Sequence, residues 1–126
     1  MDIIMQPVDP KPAVFLATSQ GDIAGFPNLA RRALGKQIQT LQYGRLPVSW
    51  KPMATVGPGV AEIRVSVAGE HRVFFVTRFH EAVYILPAFE RKSQATPRHD
   101  LELGRARYRA LVLEREARAR DLHRPR

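Results

Sequence analysis

The chain has 126 residues, 44% of them hydrophobic and 25% charged, with 20 Lys and Arg against 12 Asp and Glu, a formal net charge of +8 and no cysteine. That length suits one domain burying roughly two-thirds of the surface its unfolded chain exposes, and the lack of cysteine excludes disulfides, thiolate metal sites and cysteine nucleophiles. No apolar run approaches the roughly 20 residues of a membrane helix, and the positive charge favours nucleic acid, the ribosome or an acidic protein as partner.

Residues 1–12 contain the PVDPKP segment and no periodicity, so they read as an extended arm; they also lack the basic region of a secretory signal, and the cytoplasm is the expected compartment. The run AVFLAT, Ala13–Thr18, is short and apolar and predicts a buried strand. Ser19 and Asp22 have the spacing of a capping box, which opens a helix through Phe26, and Pro27 restarts it. Beyond it Leu29, Ala33, Leu34, Ile38 and Leu41 recur at helical spacing, with Gly44 as terminator. Leu46–Gly59 is rich in Pro and Gly and reads as a connection without regular structure, pinned to the core by Trp50 and Met53.

Three strand-like runs follow, Val60–Val67, His71–Arg78 and Ala82–Phe89, joined by short turns that imply an antiparallel meander. Glu62, Arg64 and Ser66 alternate with Ile63, Val65 and Val67, while the third run is almost continuously apolar. The expected sheet therefore carries helices on one side and a polar, partly open surface on the other. Thr96 as N-cap and Pro97 as first helical residue predict a last helix with Leu101, Gly104, Tyr108 and Leu111 inward and Arg105, Arg107 and Arg109 off that stripe. Residues 114–126 hold little apolar content and form a basic tail expected to fray or to await a partner. The fold class is α+β, an antiparallel sheet of an N-terminal strand and a three-strand meander packed by two N-terminal helices, in a domain spanning residues 13–113.

The meander gathers Glu62, Arg64, His71, Arg72, Arg91 and Lys92. Guanidinium groups suit phosphate, because their planar donors bind two oxygens at once and keep their charge. RNA can be cut without a metal when its 2′-hydroxyl attacks the adjacent phosphorus, provided the protein aligns that attack, stabilises charge and moves protons. In that scheme Arg72 and Arg91 stabilise charge, Glu62 or His71 accepts the 2′ proton and Lys92 assists the leaving oxygen. The same residues also read as a solvated sheet face and a soluble loop edge. His71, His80, His99 and His123 are scattered, with no metal-ligand spacing, so no metal and no cofactor are expected.

The order GDIAGFP, then SWKPMATVGPGVAEIRV, then HRVFFVTRFHEAVYILPAFERKSQATPRHDLELGRARYRAL, resembles the phage-derived, HigB-like branch of the RelE/ParE toxin superfamily over about Ala13–Leu111. The resemblance implies the RelE-like fold and a type II toxin that enters the ribosome and cleaves mRNA without metal. It also implies a helix-turn-helix, HigA-like antitoxin as partner. Glu62, Ile63 and Arg64 match the family's E-[IL]-R strand, Arg72 its arginine before an aromatic strand, and Phe89, Arg91 and Lys92 its F-x-K-K turn. The chain departs from the pattern at Pro87, where relatives usually have histidine, at Arg91, which replaces a lysine, and at Gly104, where alanine is usual. Two alternatives stay open: a ParE-like inhibitor of DNA gyrase, and a catalytically degenerate member that only binds its antitoxin.

Overall fold

The computed structural model describes residues 9–92 and 97–123. Its centre is a five-stranded sheet in the order β1-β5-β4-β3-β2. The three strand-like runs form β3 (Val60–Ser66), β4 (Glu70–Val76) and β5 (Val83–Arg91), an antiparallel meander. The first apolar run is shorter than expected: β1 (Ala13–Phe15) stops before Ala17, which turns with φ +50°, and it pairs with β5 in parallel. The sheet is thus mixed, not wholly antiparallel. The segment expected to lack regular structure also contributes a strand, β2 (Trp50–Pro52), antiparallel to β3. No periodicity announces a three-residue strand ending in proline, and its place at the sheet edge is where a missing backbone N–H is tolerated.

Helix α1 (Ser19–Ala24) begins differently from the capping-box expectation. Thr18 is the N-cap, its hydroxyl donating to Asp22 Oδ2 at 3.0 Å, while Ser19 is buried and donates to the carbonyl of Ile85 at 3.4 Å. Serine here ties α1 to β5 instead of closing the helix end. Helix α2 (Asn28–Gln42) ends as predicted, with Gly44 at φ +77°, its N–H donating to Leu41 O and that of Arg45 to Thr40 O. This pair of bonds satisfies the last carbonyls and requires a residue that tolerates the left-handed region.

Helices cover both faces of the sheet, which corrects the expectation of one open face. On one face Leu34, Ile38 and Leu41 of α2, with Ile23 and Phe26, pack on Ala61, Ile63, Val65, Val73, Phe75, Val83 and Ile85. On the other, Tyr108 and Leu111 of α3 (Arg98–Leu122) pack on Val60, Phe74, Val76, Tyr84 and Leu86. The continuously apolar β5 is covered twice for this reason. Gly104 lets α3 approach: a Cβ there would lie 2.8 Å from Phe74 Cδ2 and 3.0 Å from Val56 Cγ1. The expected cap Thr96 lies outside the described residues, as do residues 1–8 of the arm and 124–126 of the tail. Lys11 is anchored, its Nζ donating to the carbonyls of Thr77 and Phe79 at 2.8 and 3.0 Å. Helix α3 continues beyond Glu114 to Leu122.

A bulge explains how β5 holds a proline. Val73 pairs with Ala88 and Phe75 with Ile85, so Leu86 and Pro87 together stand opposite Phe74. At a bulge the ladder does not need the missing N–H. Among the described residues no helix is long and apolar enough to cross a membrane.

Candidate functional site

Strand pairing decides which polar residues meet. Glu62 and Arg64 share the parity of Val60, and Arg72 that of Phe74, so all three lie on the α3 face of the sheet. Three rungs follow on that face. Lys51 of β2 stands opposite Glu62 of β3; Arg64 stands opposite Arg72 of β4, which in turn faces Phe89 of β5; and Ser66 stands opposite Glu70, which faces Arg91. Directly opposed side chains on one face have Cβ atoms about 5 Å apart, close enough to share one ligand.

The organising group is Glu62, 1% exposed. Its Oε1 accepts a hydrogen bond from Arg64 Nε at 3.0 Å and lies 3.5 Å from Arg72 Nε. Burial of this carboxylate demands cations beside it, and the two arginines supply them. Arg72, 5% exposed, also donates through Nη1 to Glu70 Oε2 at 3.1 Å and to the carbonyl of His71 at 3.4 Å. Two polar atoms in this network, Glu62 Oε2 and Arg72 Nε, are buried without a hydrogen-bond partner. A hydrogen bond from Ser66, then the guanidiniums of Arg72 and Arg91, hold Glu70 below the ordinary carboxylate range, against a counteracting push from desolvation. Arg64 has a third of its side chain exposed, Arg91 is half-buried and Lys92 is exposed just past the end of β5.

His71 is not brought to this group. It pairs with Val65 and Glu90 on the opposite face, fully buried, its ring 4.6 Å from that of Phe26 and both ring nitrogens without a hydrogen-bond partner. Adjacent residues of a strand point to opposite sides, so His71 and Arg72 cannot share a face. The two-residue period along β4 carried that signal, since His71 has the parity of Val73 and Phe75. Sequence reasoning passed over two members of the cluster, Glu70 and Lys51. Glu70 stands just before the run His71–Arg78 that reads as a strand, and it is the first residue of β4. Lys51 sits in the short strand that no periodicity revealed.

Three arginines of α3 have structural partners. Arg105 Nε donates to Thr55 O at 2.8 Å, Arg107 Nη2 to Thr18 Oγ1 at 2.8 Å, and Arg115 binds both oxygens of Glu81 at 2.6 and 3.1 Å. No group of His, Asp or Glu that could hold a metal occurs among the described residues. The cluster's arrangement is that of oriented guanidiniums beside exposed lysines, a geometry suited to a phosphate group. Residues 21–109 match the family described as phage-derived protein Gp49-like (DUF891). No curated protein matches the chain.

Proposed function

The chain belongs to the phage-derived Gp49-like family, a HigB-like toxin family of the RelE superfamily, and on that premise we propose that it is the toxin of a type II toxin–antitoxin pair that cuts mRNA on the ribosome, in the cytoplasm, by attack of the RNA 2′-hydroxyl. The observation that carries this reading is the buried Glu62 carboxylate holding Arg64 and Arg72 side by side on one sheet face. Fixed guanidiniums stabilise the charge that develops on phosphoryl oxygens without reorganising during the reaction.

In this mechanism Arg64, Arg72 and Arg91 bind the scissile phosphate, and Glu62 positions the first two. The Glu62 carboxylate is engaged by both arginines and acts through them. His71 lies across the sheet and takes no part in the chemistry. Lys92 assists the leaving oxygen, a role open to lysine and closed to arginine, which does not give up its proton. The 2′ proton passes to solvent. A helix-turn-helix, HigA-like antitoxin is the expected partner.

The test is primer-extension mapping of a defined mRNA on programmed ribosomes. The wild-type protein should cut only when ribosomes are present, and Arg72→Lys, which keeps a cation against Glu62, should lose about 10- to 100-fold in rate because the planar, two-pronged contact is gone. Absence of cuts from folded wild-type protein overturns the nuclease reading; inhibition of DNA supercoiling by that same protein selects the gyrase alternative.

A further inference from the structure

The lysine in the edge strand lies where a phosphate-binding site would use it. Lys51 is exposed and directly opposed to Glu62 across the β2–β3 pair, on the face that carries Arg64 and Arg72. Met53, two residues on, confirms the parity, for it is buried in the α3-side core, while Trp50 pairs with Ile63 of the opposite face. The four lysines of the chain have different surroundings. Lys11 is held by two backbone carbonyls, Lys36 lies on the solvent side of α2, Lys51 stands opposite Glu62 of the cluster, and Lys92 is exposed just past the end of β5.

Charge on this face is arranged for an added anion. Glu62 is engaged by Arg64 and Arg72, and Glu70 by Arg72, so the two carboxylates are matched by arginines already. Lys51 therefore brings a positive charge beyond what the carboxylates require. The side chain is long and rotatable, and its ammonium keeps three donors for a ligand. On the residue opposite it, Glu62 Oε2 is buried and lacks a hydrogen-bond partner.

We propose that Lys51 is a phosphate-contacting residue of this site, binding the RNA backbone beside Arg64 and Arg72. This inference rests on the nuclease reading for its catalytic consequence, but its binding consequence stands apart. The ammonium touches a phosphoryl oxygen of the bound strand and adds charge stabilisation in the attack on phosphorus. No covalent step passes through it.

The experiment uses the full chain with Lys51→Met, which keeps an unbranched side chain in β2, Lys51→Arg, which keeps the charge, and Lys36→Met as a control on the far side of the sheet. Cleavage on programmed ribosomes should fall about 100-fold in Lys51→Met, remain within about tenfold of wild type in Lys51→Arg, and stay unchanged in Lys36→Met. In parallel, binding of a short oligonucleotide with 2′-deoxy substitution, which cannot be cut, is measured against salt concentration. Lys51→Met should weaken it and reduce the salt slope by about 1, while Lys51→Arg preserves the slope. A wild-type protein that binds the oligonucleotide but cuts nothing overturns the nuclease reading alone. Equal oligonucleotide binding by wild type and Lys51→Met overturns the assignment of Lys51, as does a Lys51→Arg variant as impaired as Lys51→Met.

Discussion

Arg72 shows why a site residue and a stability residue need separating. Truncation to alanine would remove one of the two guanidiniums beside a carboxylate that is 1% exposed. Loss of one partner from a buried ion pair costs about 3 kcal/mol, because the remaining charge stays desolvated. Arg72→Ala should therefore lower the urea midpoint substantially as well as abolish cleavage, and equilibrium unfolding measured beside the activity assay distinguishes the two effects. Gly104 makes the opposite point about a departure from the family pattern. An alanine there would gain about 1 kcal/mol in helix propensity, yet its Cβ would sit 2.8 Å from a fully buried Phe74 ring. Overpacking of this kind costs about 1–3 kcal/mol, so Gly104→Ala should be net destabilising by about 1 kcal/mol in a denaturant titration. A midpoint above wild type would show that α3 can move off the sheet.

Among the elements, α3 is held to the domain beyond its apolar contacts by Arg115, which stands one turn after Leu111 on the inward stripe. Arg115 binds Glu81 with two hydrogen bonds, lies 3.8 Å over the Phe79 ring, and Tyr84 adds a third bond to the same carboxylate at 2.8 Å. The hydrogen bond from Arg115, followed by that from Tyr84, lowers Glu81 from 4.5 to about 2, overcoming the desolvation that pushes it up. A carboxyl group with a depressed folded pKa stabilises the fold fully above its unfolded value of 4.5, and that contribution disappears as pH falls towards 2. Arg115→Met should thus cost about 1–2 kcal/mol at neutral pH, with the gap from wild type narrowing between pH 4.5 and 2.5 in urea titrations. A gap that stays constant across that range would mean the lost stability came from packing on Phe79. These contacts also account for a helix that persists to Leu122 although its sequence loses apolar content after Glu114. Tertiary pairing supplies what the amphipathic stripe lacks.

For the whole molecule, the net charge of +8 acts through counterion release on any nucleic acid it meets. Association with RNA should weaken at least tenfold between about 50 and 200 mM salt, measured by fluorescence anisotropy on a 2′-deoxy-substituted strand. Insensitivity to salt would detach the cationic surface from RNA recognition. The α3 arginines that bind Thr55, Thr18 and Glu81 have structural partners, so they should contribute less to that salt dependence than the exposed cations near Glu62.

The amino-acid order by itself determined most elements of this protein: period two marked β3, short apolar runs bounded by turns marked β4 and β5, period 3.6 and Gly44 marked α2, and a stripe through Leu101, Gly104, Tyr108 and Leu111 marked α3. Those patterns are local, so a reader needs no partner strand to see them. The family motifs were equally legible, because they are runs of adjacent residues. Only the tertiary structure decided which face each charged residue occupies once strands pair. It set β1 parallel to β5, put helices on both sides of the sheet, placed His71 under Phe26 and away from Arg72, and set Lys51 against Glu62. Each of these outcomes depends on register between segments distant in sequence, which hydrogen bonding and burial settle jointly and which no local periodicity encodes.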